Sequence, residues 1–227
     1  MSENVEEQQS EVKEIGQHLK NASIMPLFPT PLIIGEVEDE TLCEELEEHI
    51  LKLRNDKQGF FEAGNFVTDD QLYIPGRGFD RFSELVLNES KNFLDFLKVK
   101  RDEHYISGMW ANVTNPNHRH PVHIHPNCLI SGILYIKTPE NCGKTAFSDP
   151  RPAARVFEPS YEEMFEFNSG LMRYPPKRGT MLMWPSWLPH AVERGFCADE
   201  DQERITIAFN VMMLGRIDTM TGKLELN

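Results

Sequence analysis

The sequence has 227 residues, of which 40% are hydrophobic, 26% charged and 10% aromatic. This composition is that of a globular protein and excludes collagen-like, fully disordered and coiled-coil classes. The formal net charge of −13 argues against general nucleic-acid binding and against binding to anionic membranes, because both would repel the chain.

The cysteines and the N-terminal segment indicate a cytoplasmic protein. None of the four cysteines forms a CxxC pair, and four are too few for a disulfide scaffold, so we expect reduced thiols. The N-terminal residues show neither the basic start nor the apolar run of a signal peptide. No segment approaches the roughly 18 apolar residues of a membrane span, so we expect no membrane association.

The first hundred residues divide into a tail and a helical region. Residues 1–24 are polar and acidic, which predicts a flexible tail or a loose helix. A thin apolar stripe from Val5 to Leu19 makes a homodimer plausible, and the oligomeric state stays open. Residues 25–227 are expected to form a single domain, whose helical part covers about residues 25–100. It should begin with an extended strand, Met25 to Ile34.

Two segments of this region carry apolar residues at helical spacing, residues 41–54 and 79–97. The first segment should begin at Thr41 as N-cap, with Glu44 completing a capping box. Each helix has one apolar face and therefore needs a surface to pack on. The Gly- and Asp-rich residues between them, Gly59 to Gly78, predict a long functional loop or lid.

From about residue 104 to residue 213 the pattern changes to short β-prone runs separated by Pro, Gly and Asn turns. These runs are YISGMWANV, LISGILYIK, KTAFSD, TMLMWP and RITIAFNVMML. Short strands at this spacing predict a sandwich or jelly roll. The fold class is therefore mainly β with flanking helices, and the two helices should cover the outer face of one sheet.

Histidines concentrate in one part of the β region. Four of the eight lie between positions 118 and 125, in HRHPVHIHPN. On a strand, His123 and His125 would point to one face, so that both could bind one metal ion. For His118 and His120 we favour solvent-facing loop positions.

A third ligand is predicted at His190, which follows the apolar strand TMLMWP. A polar side chain buried there costs free energy unless it has a task. The alternative is that His190 only caps a turn. We favour a metal site formed by His123, His125 and His190.

An arginine begins the next strand, RITIAFNV. Strand alternation places Arg204 on the face opposite Ile205, together with Thr206. A buried arginine must pair with an anion, and its planar fork fits a carboxylate. That carboxylate belongs either to a ligand or to a protein Asp or Glu.

The order HxH, SGILYI, GKTAFSDP, PKRGTMLMWPSWLPH and RITIAFN resembles the 2-oxoglutarate/Fe(II)-dependent oxygenase superfamily. It is most similar to a putative oxygenase branch and more distantly similar to prolyl hydroxylases. The resemblance implies a double-stranded β-helix, a jelly roll, over residues 104–213. It also implies Fe(II) as metal and 2-oxoglutarate as cosubstrate. The superfamily pattern is HxD or HxE, a distal His, and an Arg followed two positions later by Ser or Thr.

Four residues match that pattern: His123, His190, Arg204 and Thr206. The resemblance implies that Arg204 binds the distal carboxylate of 2-oxoglutarate. Tyr135 could assist through its hydroxyl, or it could be a core tyrosine satisfied by the backbone. Asn112 is a weaker candidate for the same cosubstrate or for the substrate.

The sequence departs from the pattern at one position, because His125 stands where the superfamily has Asp or Glu. Either three histidines hold the metal, or a nearby carboxylate completes the site, with Asp149 first and Glu193 second. A third alternative is that only metal binding remains.

We therefore expect a nonheme Fe(II) oxygenase that uses 2-oxoglutarate and O2 to hydroxylate a small-molecule or peptide substrate. One alternative is a cupin-like three-His enzyme without a cosubstrate. Another is a non-enzymatic jelly-roll module that holds a structural ion.

Overall fold

A computed structural model of the chain describes residues 23–62, 65–151, 153, 156–218 and 221–226. The chain divides into two compact units, residues 1–30 and 31–227. The apolar stripe from Val5 to Leu19 and nearly all of the predicted tail lie outside the described residues. In the first unit, residues 23–30 contain neither helix nor strand.

The described part of the second unit contains two helices and twelve strands. The helices are α1 (Glu40–Asn55) and α2 (Asp80–Phe96). The strands are β1 (Ile33–Glu36), β2 (Phe60–Glu62), β3 (Asn65–Val67), β4 (Glu103–Thr114), β5 (His120–His123), β6 (Ile130–Lys137), β7 (Thr145–Ser148), β8 (Leu171–Tyr174), β9 (Thr180–Pro185), β10 (His190–Val192), β11 (Arg204–Asp218) and β12 (Lys223–Leu226). Neither of these helices is long and apolar enough to cross a membrane.

The strands form two antiparallel sheets. The major sheet has the order β1-β9-β6-β11-β4-β3-β2, with β12 also paired to β11. The minor sheet has the order β5-β10-β7-β8. Neighbours in both sheets are mostly distant in sequence, as in a jelly roll rather than a meander.

Both helices form because their apolar residues recur along one face, and both pack on the major sheet. α1 contacts β6, and α2 contacts β4. The N-cap of α1 is Asp39, whose Oδ1 accepts a hydrogen bond from the Thr41 backbone N–H at 3.0 Å. The predicted N-cap at Thr41 is therefore wrong, because the carboxylate two residues earlier satisfies that N–H first.

The two faces of the major sheet contribute to two separate cores. One face packs under the helices and includes Ile205, Ile207 and Phe209 of β11. The other face meets the minor sheet in a smaller cluster that includes Tyr135 and Phe147. Strand alternation alone assigns each residue to one core or the other.

Gly132 marks the closest approach within the helix-side core. A Cβ at this position would lie 2.2 Å from Cζ of Phe209 and 2.8 Å from the backbone oxygen of Leu182. Any larger residue would collide with the neighbouring strands, so the glycine in SGILYI allows β9 and β11 to pack closely on either side of β6.

Two further predictions of local structure are wrong. The extended segment Met25 to Ile34 becomes a strand only at Ile33. The predicted loop Gly59 to Gly78 contains β2 and β3, a hairpin that extends the major sheet beyond β4. Its three-residue strands are too short to show alternation, and only the pairing of β3 with β4 and of β2 with β3 defines them.

Candidate functional site

The three predicted ligand histidines come together where the minor sheet faces the major one. His123 ends β5, His190 begins β10, and the two are paired in register. His125 lies two residues beyond β5. The potential ligand atoms of the three side chains all lie within 4.8 Å of one another. Antiparallel pairing of two short strands therefore joins positions that are far apart in the sequence.

Each of the three imidazoles is held by its Nδ1 atom. His123 Nδ1 donates to the backbone oxygen of Pro121 at 2.9 Å, and His190 Nδ1 donates to that of Leu188 at 2.9 Å. His125 Nδ1 donates to Oδ1 of Asn210 at 2.8 Å. Because an oxygen acceptor requires the proton on Nδ1, Nε2 of each ring carries a lone pair.

These lone pairs point to a cation. Nε2 of His123 and Nε2 of His125 lie 3.1 Å apart. In this tautomer neither atom has a proton to donate to the other, so a shared cation would satisfy both. Three neutral imidazole nitrogens suit iron, zinc, copper or nickel.

Burial keeps the site neutral. It lowers the pKa of His190 to about 3, and the nearby His123 and His125 act in the same direction. Burial also lowers the pKa of His125, although the hydrogen bond to Asn210 opposes this shift. Both rings are therefore unprotonated at neutral pH, which is the form that binds metal.

Aromatic rings surround the cluster on its apolar side. Trp110 stacks on His125 with ring centroids 5.8 Å apart and an interplanar angle of 22°. Trp184 and Phe147 lie 4.7 and 6.2 Å from the ring of His190. These contacts restrict the orientation of the two imidazoles.

The two carboxylates considered as substitutes for His125 lie elsewhere. Asp149 makes an ion pair with Arg151, with an Nη2–Oδ2 distance of 2.8 Å. Glu193 accepts hydrogen bonds from Nε of Arg173 at 2.8 and 2.9 Å. Among the described residues, only the three histidines form a cluster that could hold a metal ion.

The predicted cosubstrate residues form a row on the inner face of the major sheet. Thr206 pairs with Asn112 on one side and with Tyr135 on the other. Arg204 lies one step further along the same face of β11. Thr206 and Tyr135 are buried, whereas Asn112 is half-buried. The register thus brings together residues from three strands.

Arg204 is buried without a carboxylate partner. The residue is 4% exposed, and Nε and Nη2 of its side chain have no hydrogen-bond partner. No described residue forms an ion pair with it. Burial lowers the pKa of Arg204, and its guanidinium carbon lies 5.6 Å from the ring centroid of Tyr135. A buried cation with unused donors fits an anionic ligand better than a structural ion pair.

The hydroxyl of Tyr135 already has a protein partner, because it lies 2.6 Å from Oγ1 of Thr145. If Thr145 donates this bond, the tyrosine proton remains available for a carboxylate beside Arg204. Sequence reasoning did not find Thr145, since nothing in KTAFSD distinguishes this threonine from an ordinary strand residue.

The other two histidines of the segment 118–125, His118 and His120, differ from each other. His120 is exposed as predicted but belongs to β5, with its ring 4.4 Å from that of His123. His118 is half-buried rather than solvent-facing, and its Nδ1 lies 3.2 Å from Nδ2 of Asn65. The structure makes neither a member of the three-histidine cluster.

Comparison with known proteins agrees with this geometry. Residues 108–210 match the family described as "Putative 2OG-Fe(II) oxygenase". No curated protein matches the sequence. A prolyl-4-hydroxylase from Pseudomonas putida is 12% identical with a TM-score of 0.59, over 82% of this chain and 94% of that one.

Two further solved structures are similar. HygX from Streptomyces hygroscopicus, with nickel and 2-oxoglutarate bound, is 12% identical with a TM-score of 0.52, over 87% of this chain and 92% of that one. A prolyl hydroxylase from Trichoplax adhaerens, in complex with a hypoxia inducible factor peptide fragment, is 13% identical with a TM-score of 0.53, over 80% and 83%. At these identities the structures establish the fold, and the predicted jelly roll is confirmed.

Proposed function

Since this chain belongs to the 2-oxoglutarate/Fe(II)-dependent oxygenase superfamily, we propose that His123, His125 and His190 hold its Fe(II). The enzyme is a dioxygenase with Fe(II) and 2-oxoglutarate as cofactors. The observation that carries the ligand assignment is the orientation of the three imidazoles. Each donates from Nδ1 to an oxygen and leaves Nε2 for the metal.

The second part of the proposal concerns 2-oxoglutarate. Arg204 binds its distal carboxylate through the unpartnered Nε and Nη2, and Thr206 and Tyr135 donate hydroxyl hydrogen bonds beside it. Asn112, in the same row, contacts the cosubstrate or the substrate. The apolar ring of Tyr135 beneath the guanidinium excludes water and strengthens the ion pair.

The charges of the site are consistent with this assignment. Three neutral imidazoles leave the metal with two positive charges, one more than a site with a carboxylate ligand. The dianion 2-oxoglutarate brings the assembly to neutrality. Nitrogen ligation should also raise the relative preference for nickel, copper and zinc over iron.

When bound, iron and 2-oxoglutarate activate O2, and 2-oxoglutarate is converted to succinate and CO2 as a C–H bond is hydroxylated. The protein holds the imidazoles in one tautomer, orients the cosubstrate by its distal end and keeps the pocket dry. The helical cover and the β core, from about residue 25 onward, act as one catalytic domain.

The substrate belongs, in this proposal, to the peptides or small molecules. One similar structure, the prolyl hydroxylase from Trichoplax adhaerens, holds a peptide fragment. A cytoplasmic location and a homodimer, both expected from the sequence, belong to the same proposal.

Anaerobic titration tests the proposal. Metal-free protein would be titrated with Fe(II) and then with 2-oxoglutarate while the visible spectrum is recorded. We expect a weak charge-transfer band to appear only after the cosubstrate is added. If Fe(II) binds but the band does not appear, the result favours a cupin-like enzyme without a cosubstrate. If the metal is bound so that 2-oxoglutarate has no access to it, the result favours a structural ion.

A further inference from the structure

We propose that Asn210 is a positioning residue, which makes an imidazole usable as a metal ligand at position 125. The inference rests on the proposed function, because it assumes that His125 binds the metal. A carboxylate ligand has two equivalent oxygens and needs no tautomer selection. An imidazole binds metal only through the nitrogen that lacks the proton, so its other nitrogen must be held as a donor.

Position 125 differs from the other two histidines in the source of its acceptor. His123 and His190 each donate to a backbone oxygen two residues earlier in the chain. Every residue supplies such an oxygen, whatever its side chain. His125 instead donates to the side chain of Asn210, 85 positions away on β11. Only at this histidine does the tautomer depend on a particular amino acid.

The amide of Asn210 is itself fixed. Oδ1 accepts a second hydrogen bond from Oγ of Ser131 at 2.9 Å, and Ser131 is fully buried on the neighbouring strand. Asn210 and Ser131 are paired in register between β11 and β6. The atom of Asn210 that both side chains contact is Oδ1, which carries no proton and can only accept. His125 therefore faces an acceptor.

The backbone and a neighbouring ring support this arrangement. The pairing of β11 with β4 shifts register between Asn210 and Val211, and such a bulge re-aims the side chain at its edge. Opposite Asn210 on β4 is Gly108, and even a Cβ at that position would lie 4.0 Å from Nδ2 of Asn210, so the amide is not crowded there. Trp110 stacks on His125 and sets the plane of the ring. Together they point Nε2 of His125 towards Nε2 of His123.

The test compares Asn210→Leu with Asn210→Asp. Leucine removes the acceptor, whereas aspartate keeps an acceptor oxygen in the same place. The apo protein would compete with a coloured chelator for Fe(II) under anaerobic conditions. Asn210→Leu should lower Fe(II) affinity roughly 10- to 100-fold, the usual effect of removing the hydrogen-bond partner of a metal ligand. Asn210→Asp should keep the affinity of the wild type or exceed it.

Asn65→Leu is the matched control. Asn65 also bonds an imidazole, that of His118, but donates from Nδ2 and lies outside the cluster. It should leave Fe(II) affinity unchanged. If Asn210→Leu and Asn65→Leu lower the affinity equally, the effect is general destabilisation and the inference is wrong.

A direct readout does not depend on a variant folding. In the zinc-loaded wild type, nitrogen NMR of the histidine side chains should show His125 protonated on Nδ1 and bound through Nε2. Protonation on Nε2 would overturn the role of Asn210. Failure of the proposed function looks different, because His190→Ala would then leave metal affinity unchanged.

Discussion

The two faces of strand β11 have opposite compositions, although one is fully buried at Ile205, Ile207 and Phe209 and the other is buried at Arg204 and Thr206 and half-buried at Asn210. One face carries Ile205, Ile207 and Phe209, which pack under the helices. The other carries Arg204 and Asn210, with Thr206 between them, and faces the histidine cluster. Burying apolar groups stabilises the fold, whereas burying polar groups costs free energy unless they are paired. Alternate residues of β11 therefore serve different purposes: one set stabilises the fold, and the next residue along faces the candidate site.

The largest expected effect breaks the helix-side face. Phe209→Ala should destabilise the protein by about 3–5 kcal/mol, because it opens a cavity beside Phe82 of α2, whose ring lies 5.8 Å away. Urea unfolding measures the loss. The control is Phe96→Ala at an exposed position of the same helix, which should change stability by no more than about 0.5 kcal/mol. A similar small change for Phe209→Ala would contradict the division into two faces.

The second prediction removes the proposed ligand that the minor sheet contributes from β10, His190. His190→Ala should lower Fe(II) affinity by more than the roughly 10- to 100-fold that follows loss of an outer partner. Competition with a chelator under anaerobic conditions measures it. His49→Ala, at an exposed histidine of α1, should bind as the wild type does. Unchanged metal content in His190→Ala would remove this residue from the ligand set.

The third prediction concerns the inner face of β11 alone. Arg204→Met keeps much of the apolar stem but loses the donors, so 2-oxoglutarate affinity should fall by about 1.5–3 kcal/mol, the range for hydrogen bonds to charged groups. Metal affinity should be kept, because Arg204 is not one of the three ligand histidines. Stability should be kept, because Nε and Nη2 make no hydrogen bond that the substitution would break. Isothermal titration with 2-oxoglutarate measures the change.

Arg216→Met is the control for that change, since Arg216 lies on the same strand but is exposed beside Asp218. It should bind 2-oxoglutarate normally. If Arg204→Met unfolds and the wild type does not bind 2-oxoglutarate, Arg204 has a structural role instead.

The comparison of faces also indicates how much the sequence could predict. Alternation in RITIAFNV correctly separates Ile205 from Arg204, and helical spacing finds both helices, because these signals repeat over many residues. The strands β8, β10 and β12 are three or four residues long and carry no such signal. Only pairing with neighbours defines them.

The site was predictable to the same extent. The HxH spacing and the apolar setting of His190 predict three histidines that can meet. Parity places Asn210 on the inner face, but it cannot say which imidazole lies opposite, because that depends on the register between distant strands. The bond from His125 to Asn210 therefore needed the structure.

The smallest expected effect is a pH dependence that arises in the histidine cluster facing the inner side of β11 and not on the helix side. Burial lowers the pKa of His190 to about 3, whereas an unfolded histidine titrates near 6.5. Between these values the unfolded chain binds a proton here that the native chain does not. Metal-free protein should therefore lose stability as the pH falls from about 6.5, by at most about 1.4 kcal/mol per pH unit from this group.

Urea unfolding of the metal-free wild type and of His190→Gln, from about pH 6.5 down to about 5, isolates this contribution. Glutamine does not titrate, so the variant should lose less stability than the wild type over this window, and the two curves should converge towards lower pH. Phe209→Ala should instead lower stability by the same amount at each pH, because the helix-side face has no titrating group at this position. Parallel curves for the wild type and His190→Gln would mean that the native ring takes up the proton as easily as the unfolded one. The imidazole would then be hydrated, contrary to its 6% exposure, and a dry metal site could not be built around it.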